Sequence, residues 1–473
     1  MKINNKQLNL IRVGMAFLCL LISSEVYSNT EKEKASKPNF IIIFTDDQGY
    51  GDLSCYGSTK IKTPHLDQMA SEGRKLTSFM VASPVCSPSR AALLTGCYPK
   101  RVGMHRHVLF PESKRGINPD EYTIADLLKA QGYATTCIGK WHLGDHSETL
   151  PQELGFDSYF GIPYSNDMIH PGAKGGPTKG PKGMDVLWDD PESTLTKWNA
   201  PLVENKKIIE LPVDQRTITR RYTDRAIDFV KAHQDRPFFI YLPHSMPHIP
   251  LYVPDEIYDA DPKTAYTQVI QHMDAEIGRL MSAIKELSLD KNTYVIFTSD
   301  NGPWLSYKHH GGSAAPLRDG KGTNFEGGQR VPFIIWGPDR IPAGTTFDGL
   351  ISTMDLLPTI ASMTGAELPK GHRIDGLDMS TVFTGKQERS PRKEFLYYTG
   401  HGALSGIRQG RWKLLLDKPK NKKRTLLFDL SQDLGEKENL ASMHPELVKQ
   451  LRQRMQELDK EVTQNARPAW KKE

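Results

Sequence analysis

Cysteine is scarce in this sequence, and long apolar runs are missing after its N-terminal segment. Five cysteines among 473 residues are too few and too widely spaced for a dense disulfide framework or a cysteine-rich zinc site, although one disulfide among Cys55, Cys97 and Cys137 is left open. No segment after residue 28 is long and apolar enough for a membrane-spanning helix. The formal net charge is only +5, so the composition gives no reason to expect a nucleic-acid partner.

The first 28 residues have the layout of a secretory signal peptide. Three basic residues precede the short apolar core VGMAFLCLLI, and the segment ends in a small residue, Ser28, after which we expect cleavage. Leu18 stands before Cys19, where a lipoprotein signal would have a small residue. We therefore predict export to the periplasm or the medium, with no lipid anchor and no membrane insertion after cleavage.

Strand-like and helix-like patterns alternate through most of the remaining chain. The run NFIIIF predicts a buried strand, and the amphipathic pattern TRRYTDRAIDFVKAHQ predicts a helix before the strand PFFIYL. This alternation predicts an α/β fold with a large, mostly parallel sheet between helices. From about residue 386, short strands and a final amphipathic helix predict a smaller antiparallel α+β domain. We therefore expect a catalytic domain over residues 29–385 and a C-terminal domain over residues 386–473.

Four oxygen-bearing side chains follow two of the predicted strands. Asp46 and Asp47 come soon after the strand at residues 40–44, and Asp300 and Asn301 follow the strand TYVIFTS. Sites in parallel sheets form beyond the carboxyl ends of the strands, so these side chains are expected to meet. Hard oxygen ligands suit Ca²⁺ or Mg²⁺ better than zinc. The alternative is two unrelated turns, because Asp-Asp and Asp-Asn pairs often end strands.

A lone cysteine, Cys86, precedes a predicted helix in the segment SPVCSPSRAALLTGCYP. Pro88 suits the first turn of that helix, and Gly96 is expected to end it. Cys86 therefore lies at the positive end of the helix dipole, with Arg90 about one turn further on, which favours an anion-binding site. The alternative is a buried structural cysteine.

Basic and imidazole side chains recur in three further segments. Lys140 and His142 in GKWHLG are separated by one residue, so an extended backbone directs both to the same face. His244 and His248 lie in LPHSMPHIP, and Lys321 lies in RDGKGTNFEGG. Each is weak alone, because isolated histidines and lysines are usually surface or core residues. Together with a divalent cation and a helix N-terminus, they favour chemistry on a tetrahedral oxyanion ester.

These segments together resemble the formylglycine-dependent (type I) sulfatases of the alkaline phosphatase superfamily. CSPSRAALLTG matches the C-x-P-S-R signature of that family, and TDDQGYGD, GKWHLG, GIPYSNDM, PHIP, SDNG and GKGTNFEGG also match. The stretch LFDLSQDLGEKENLA is similar to the C-terminal domain of the same family. The resemblance implies an alkaline phosphatase-like fold and the hydrolysis of sulfate esters.

The resemblance also implies roles for the motif residues. A separate maturation enzyme is expected to oxidise Cys86 to formylglycine, whose hydrated aldehyde attacks sulfur. His142 is the expected base that releases sulfate from the covalent ester, and His248, supported by Lys321, is expected to protonate the leaving alkoxide. His244 is expected to be a wall residue. The implied sulfate ligands are Arg90, Lys140, Lys321 and Ser165. The implied ligands of one Ca²⁺ ion are Asp46, Asp47, Asp300 and Asn301.

The leading substrate hypothesis is a sulfated carbohydrate, such as a carrageenan-type galactan, because an exported enzyme meets such polymers. The alternatives are a glycosaminoglycan, an N-acetylgalactosamine or galactose sulfate, or a small aryl sulfate. More distant alternatives are a phosphoester or phosphonate hydrolase and a non-catalytic binder of sulfated glycans. Candidate sugar contacts are Asn166, Asp167, His309, His310 and Arg318. Candidate contacts to further sulfates, in a Gly- and Pro-rich loop over residues 170–185, are Lys174, Lys179 and Lys182.

Overall fold

The most apolar strand segments of the sequence form the centre of one large sheet. A computed structural model of the chain describes residues 37–171, 181–190, 198–417 and 424–472. The predicted signal peptide, Lys174, Lys179 and the side chain of Lys182 lie outside this description.

Elements are numbered in chain order. The strands are β1 (Asn39–Thr45), β2 (Arg74–Met80), β3 (Arg115–Gly116), β4 (Ala134–Ile138), β5 (Ser158–Gly161), β6 (Leu202–Glu204), β7 (Lys207–Glu210), β8 (Phe238–Pro243), β9 (Thr293–Ser299), β10 (Arg330–Trp336), β11 (Thr345–Phe347), β12 (Ile351–Ser352), β13 (Glu394–Tyr398), β14 (Leu404–Gln409), β15 (Trp412–Asp417), β16 (Arg424–Asp429) and β17 (Trp470–Lys471). The helices are α1 (Pro64–Glu72), α2 (Cys86–Thr95), α3 (Ile124–Ala130), α4 (Pro181–Asp189), α5 (Ile218–Ala232), α6 (Ala265–Glu286), α7 (Glu326–Gln329), α8 (Leu356–Thr364), α9 (Ser380–Phe383) and α10 (Pro445–Gln464).

The main sheet has the strand order β11-β2-β10-β9-β1-β8-β4-β5-β6-β7, and β12 also pairs with β2. The central strand β1 is fully buried and runs parallel to both of its neighbours, β8 and β9. Its residues alternate between two apolar cores: Ile41 and Ile43 pack with α5 and α6, whereas Phe40, Ile42 and Phe44 pack with α2, α3 and α8. Parallel strands covered on both faces are the expected form of continuous apolar runs. The predicted α/β class is confirmed.

The helix α2 lies inside the fold rather than on its surface. It begins at Cys86, and all ten of its residues are buried. It ends at Gly96, whose φ of 66° is the left-handed conformation that favours glycine at helix ends. The predicted start and end of this helix therefore agree with the structure.

The helix α4 departs from the loop predicted over residues 170–185. Met184, Leu187 and Trp188 are buried, and their spacing of three and four residues fits one face of a helix. The Gly- and Pro-rich residues before Pro181 obscured this pattern in the sequence. The predicted loop was therefore wrong at its C-terminal end.

A second, smaller sheet follows the main one. Its strand order is β13-β14-β15-β16, with every pair antiparallel. Three side chains of α10 are buried in one apolar cluster with residues of this sheet: Leu451, Met455 and Val462. Residues 38–473 nevertheless form one compact unit. The boundary between residues 385 and 386 stays a prediction.

Neither disulfides nor membrane-spanning helices occur in the described part of the chain. Its cysteines are free thiols: Cys55, Cys86, Cys97 and Cys137. The disulfide that the sequence left open is therefore not formed in this structure. No helix of the described ranges combines the length and apolarity that a bilayer crossing requires.

Candidate active site

Two parallel strands bring four oxygen-bearing side chains to one edge of the main sheet. The register of β1 and β9 places Asp46 level with Asp300. The backbone N–H of Asp47 donates to Asp300 Oδ1 at 3.1 Å, and Asn301 Nδ2 donates to Asp47 Oδ1 at 2.7 Å. All four side chains are buried. The structure therefore assembles the predicted ligand set.

Each carboxylate of this set has a cation beside it. The pairs are Arg90 with Asp300 at 2.7 Å, Lys140 with Asp46, and Lys321 with Asp47 at 2.7 Å. Although burial opposes ionisation, Lys140, His248 and Arg90 hold the pKa of Asp46 well below its usual range. Burial, together with repulsion from Asp46, raises the pKa of Asp300 to about 7. The cations present therefore leave Asp300 incompletely compensated.

The residues at this edge fit a hard divalent cation. Asn301 Oδ1 is buried and accepts no hydrogen bond, although a buried amide oxygen normally has a donor. It lies among carboxylates that repel one another, and an ion between them would stabilise their ionised forms. The donors are all oxygens, which suits Ca²⁺ or Mg²⁺.

Cys86 faces the same carboxylates from the first residue of α2. Its Sγ lies 3.3 Å from Asp46 Oδ1 and 4.0 Å from Asp47 Oδ1. Burial and the nearby charges of Asp300 and Asp46 raise the pKa of the thiol well above its usual value. Reactive cysteines have the opposite shift, because the thiolate is the nucleophile. An unmodified Cys86 is therefore badly placed for nucleophilic catalysis.

His142 is held as a neutral imidazole with one free nitrogen. Its Nε2 donates to the carbonyl oxygen of Leu109 at 2.8 Å, and its Nδ1 is buried without a hydrogen-bond partner. Burial, with Lys140 and Arg90 nearby, lowers the pKa of His142 well below its usual value. The residue has a φ of 59°, an uncommon backbone conformation for a non-glycine residue. This combination is suited to a proton acceptor.

His248 has its ring fixed in the complementary way. Its Nδ1 donates to the carbonyl oxygen of Ile249, which directs Nε2 toward Asp47 Oδ2 at 3.6 Å. Burial and the charge of Lys321 lower the pKa of His248. Ser165 Oγ lies 3.1 Å from Lys140 Nζ and 3.5 Å from His248 Nδ1. Nε2 is therefore the nitrogen of His248 that is available for proton transfer.

A cavity of about 640 Å³ opens onto this centre, and several predicted catalytic residues line it: Cys86, His142, Ser165, His248 and Lys321. Its walls are mainly apolar and aromatic, and they include Phe110, Met168, Met184, Trp198, Trp304 and Tyr307. The ring of Trp304 lies 4.1 Å from Lys321 Nζ and 5.5 Å from the ring of His248. Trp304 is therefore the wall residue beside the expected proton donor.

The residues that form the apolar and aromatic walls of the cavity were not predicted from the sequence. Met168, Trp198 and Tyr307 carry no periodic pattern that separates them from core residues. Trp304 had a usable signal, because it follows Asn301 by three positions in SDNGPWLSY. Loop residues directly after a strand-end ligand are often part of the same site.

Only one of the five candidate sugar contacts lines the cavity, namely Asp167. The other four do not line it: Asn166, His309, His310 and Arg318. Arg318 donates to the carbonyl oxygen of Glu436 at 2.6 Å, and Asn166 Nδ2 donates to Gln215 Oε1 at 3.0 Å. Both histidines contact Asp185. His244, expected as a wall residue, is buried but does not line the cavity.

Comparisons with known proteins show to which family this chain belongs. A sequence profile described as Sulfatase matches residues 38–366, and a profile described as N-sulphoglucosamine sulphohydrolase, C-terminal, matches residues 320–461. Arylsulfatase G of Mus musculus is 36% identical over 426 residues, which cover 86% of this chain and 81% of the relative. N-acetylgalactosamine-6-sulfatase of Canis lupus familiaris is 36% identical over 395 residues, which cover 80% of this chain and 71% of the relative.

The fold agrees with the sequence comparison. A crystal structure described as Ps i-CgsB in complex with k-i-k-neocarrahexaose superposes with a TM-score of 0.76 at 30% identity, covering 93% of this chain and 95% of that chain. Sulfatases generally use a formylglycine and a divalent metal ion, and the described residues offer a matching cysteine and oxygen-rich site. The chain belongs to the sulfatase family and is a sulfuric ester hydrolase.

Proposed function

We propose that this sulfatase uses a formylglycine formed from Cys86, by a separate enzyme before or during export, together with one Ca²⁺ ion. The observation that supports this most is the position of Cys86, buried at the N-terminus of α2 with its Sγ 3.3 Å from Asp46 Oδ1. A formylglycine there, hydrated to a geminal diol, would supply one hydroxyl to attack sulfur and a second whose deprotonation would re-form the aldehyde and expel sulfate, next to a cation that would lower hydroxyl pKa values. The proposed Ca²⁺ ligands are Asp46, Asp47, Asp300 and Asn301.

His142 is proposed as the base that releases sulfate from the covalent ester. Because its Nε2–H is bound to Leu109, its free Nδ1 can accept a proton. Its lowered pKa keeps it neutral at pH 7, which is the form a base requires. Lys140 and Arg90 lower this pKa, and we assign the same two cations to the oxygens of the sulfate.

His248 is proposed as the acid that protonates the leaving alkoxide. Its Nδ1 is fixed by Ile249, so only Nε2 can deliver the proton. That nitrogen faces Asp47, whose negative charge partly offsets the burial and the charge of Lys321 that lower the pKa of this imidazole. Ser165, between Lys140 and His248, is positioned to donate its hydroxyl to a sulfate oxygen.

The leaving group is proposed to be a carbohydrate, as a polysaccharide or oligosaccharide end. Trp304 beside His248 offers a flat apolar surface for the C–H face of a sugar ring. Asp167 lines the same cavity and can accept hydrogen bonds from sugar hydroxyls. Lys174, Lys179 and Lys182 stay candidates for contacts to further sulfates on the sequence alone, because their side chains lie outside the described part of the chain. The solved relative with bound neocarrahexaose supports a galactan.

A second candidate substrate is a small aryl sulfate or a glycosaminoglycan sulfate. The apolar walls formed by Phe110, Met168 and Trp198 favour an aromatic leaving group. The relatives named arylsulfatase G and N-acetylgalactosamine-6-sulfatase are equally similar to this chain in identity. Both candidates use the same sulfate centre and differ only in what fills the cavity.

The first experiment examines the nucleophile. The chain is produced in a host with a formylglycine-generating enzyme, and the peptide containing Cys86 is analysed by mass spectrometry. We expect conversion of the thiol to the aldehyde, and turnover in proportion to the converted fraction. A fully active preparation that retains the thiol would contradict the proposal.

The second experiment examines the substrate. A panel of defined sulfated oligosaccharides, aryl sulfates and phosphate esters of the same alcohols is compared by kcat/KM. We expect sulfate esters to exceed the matched phosphate esters, and one oligosaccharide to exceed the aryl sulfates. Faster turnover of the phosphates would instead indicate a phosphoester hydrolase, and binding without turnover would indicate a glycan-binding protein.

A further inference from the structure

A second group of metal-binding side chains lies outside the catalytic centre. Asp185 of α4 faces His309 and His310 of the short helical turn Leu305–His310. His309 Nε2 is 2.8 Å and His310 Nε2 is 3.1 Å from the same oxygen, Asp185 Oδ1. All three atoms lie within 4.8 Å of one another. Two imidazoles and a carboxylate therefore converge on one point.

The spacing of these atoms is close to that of a zinc site. Zinc ligands lie about 2.0–2.2 Å from the ion, so neighbouring ligand atoms of a tetrahedral site are about 3.4 Å apart. The two observed N···O distances would have to lengthen by roughly 0.3–0.6 Å to reach that value. A small rotation of the Asp185 side chain provides such a change.

The donor set differs from that of the catalytic centre. Imidazole nitrogens suit zinc and other transition metals, whereas the oxygen-only ligands at Asp46 and Asp300 suit Ca²⁺. Successive residues rarely direct their side chains to one point, and Lys308, with a φ of 54°, bends the backbone directly before the two histidines. The rings of His309 and His310 consequently lie 4.7 Å apart, centre to centre.

The group is open to an ion from solvent. The side chains of Asp185 and His309 are about one-third exposed, at 33% and 31%, whereas His310 is 1% exposed. An ion can therefore enter from the exposed side, where a water molecule completes the fourth position. The buried His310 anchors the group to the protein, although its Nδ1 lacks the hydrogen-bond partner that usually orients a metal-bound imidazole.

We propose that Asp185, His309 and His310 bind a zinc ion that fastens α4 to the Leu305–His310 turn. Met184 of α4 and Tyr307 of the turn both line the catalytic cavity. The ion would therefore stabilise the wall that contacts the leaving group, without contacting the sulfate. The same contacts could instead be a carboxylate that accepts hydrogen bonds from two neutral imidazoles, and a binding experiment separates the two.

The experiment uses the full chain saturated with Ca²⁺, freed of transition metals by a selective chelator, and titrated with Zn²⁺ or Co²⁺. We expect one equivalent of Zn²⁺ to bind and raise the Tm, and Co²⁺ to give the visible absorption of a tetrahedral nitrogen and oxygen site. His309→Ala and Asp185→Asn should each weaken Zn²⁺ binding at least 100-fold and abolish the rise in Tm. His444→Ala, at an exposed histidine beside Trp412, should change neither.

Two results would overturn the proposal. One is the absence of Zn²⁺ binding by the unaltered chain in excess Ca²⁺. The other is Zn²⁺ binding that persists unchanged in both variants. Asp185→Asn nearly preserves the size of the side chain, so it keeps the test decisive if His309→Ala unfolds. Because the readouts are affinity, absorption and Tm, they do not depend on the sulfatase substrate.

Discussion

Two buried charge clusters of this protein use similar residues but differ in how completely their charges are compensated. In the catalytic centre, Asp46, Asp47 and Asp300 stand close together, and burial with mutual repulsion raises the pKa of Asp300 to about 7. Asn301 Oδ1 has no hydrogen-bond donor there. The protein's own residues therefore do not fully compensate the negative charge of this cluster.

The second cluster surrounds Glu326, where the main sheet meets the C-terminal sheet. Lys413 Nζ and the hydroxyl of Tyr397 donate to Glu326 Oε1 at 2.9 Å and 3.0 Å. Although burial opposes ionisation, Lys413, Arg408 and Arg330 hold the pKa of Glu326 well below its usual range. The carboxylate of Glu326 is compensated by the protein itself, whereas Glu436, which shares Lys413 at 2.8 Å, has a pKa raised by burial and by the charge of Glu326.

The comparison indicates which buried charges serve function. A buried charge that its neighbours compensate contributes to structure, and removing one partner is strongly destabilising. Buried carboxylates that repel one another beside an amide oxygen without a donor indicate a site that a cation would complete. Mutations in the two clusters should therefore separate activity from stability.

The largest expected effect is on turnover, from Cys86→Ala. Removing the nucleophile should lower kcat/KM by at least about 10⁴-fold, with less than about 1 kcal/mol change in the free energy of unfolding. The matched control is Cys137→Ala, a buried thiol of β4, which should keep its turnover. Kinetics and urea unfolding measure the two quantities. Residual turnover near that of the unaltered enzyme would remove Cys86 from its proposed role.

The largest effect on stability is expected from Lys413→Met. This change leaves Glu326 without its nearest cation, which should lower the free energy of unfolding by about 3–5 kcal/mol. Turnover per folded molecule should stay within about twofold, because the catalytic centre keeps all its residues. Lys291→Met is the control, since the exposed pair of Lys291 with Asp339 is worth less than about 1 kcal/mol. A loss as small as the control's would show that the second cluster is not structural.

Calcium should stabilise one cluster and not the other. At a Ca²⁺ concentration about 100 times Kd, binding should add about 2.7 kcal/mol to the free energy of unfolding. Lys413→Met should retain this increment, whereas Asn301→Ala should lose most of it. Thermal unfolding with and without a chelator provides the measurement. An increment unaffected by Asn301→Ala would place the ion elsewhere.

The smallest expected effect is a loss of stability at low pH, caused by two buried histidines that lie outside both clusters. Burial lowers the pKa of His244 to about 3, and burial with nearby Arg220 lowers that of His272 to about 4. In the unfolded chain both histidines become protonated near pH 6.5. In the folded chain His272 becomes protonated only near pH 4, and His244 only near pH 3. Their contribution is therefore complete above pH 6.5 and is lost as pH falls toward those lower values.

His244→Leu tests this pH dependence, because both ring nitrogens of His244 lack partners. Between pH 7 and pH 5, the unaltered chain should lose about 1–2 kcal/mol more than the variant. Urea unfolding at the two pH values, in saturating Ca²⁺, gives the difference. Equal losses would assign the acid sensitivity to other groups.

Several features of the centre could be predicted from the sequence for physical reasons. Continuous apolar runs identified β1 and β9 as buried strands, and parallel strands end at one edge, so Asp46 and Asp300 were expected to meet. The helix-start proline and the terminal Gly96 located α2, and with it the position of Cys86. Each of these inferences depends on local patterns that have a fixed geometric meaning.

The remaining features depend on contacts between distant segments. Glu326 and Lys413 are 87 positions apart, and no local pattern pairs them. The contacts of His309 and His310 with Asp185 depend on α4, which the preceding Gly- and Pro-rich residues obscured. Trp198, in a loop, and Tyr307, in the short helical turn Leu305–His310, line the cavity only because the fold brings these segments to it. Residues without periodicity therefore stayed unassigned until the fold placed them.

The segment GKGTNFEGG contributes Lys321 to one cluster and Glu326 to the other. A hybrid that joins the large sheet of this enzyme to the small sheet of a relative would therefore keep its stability at this segment only if the donor supplied a cation for Glu326. Glu326 and Lys413 do not line the cavity, so substitutions in the cavity walls can change specificity without disturbing this connection between the two sheets.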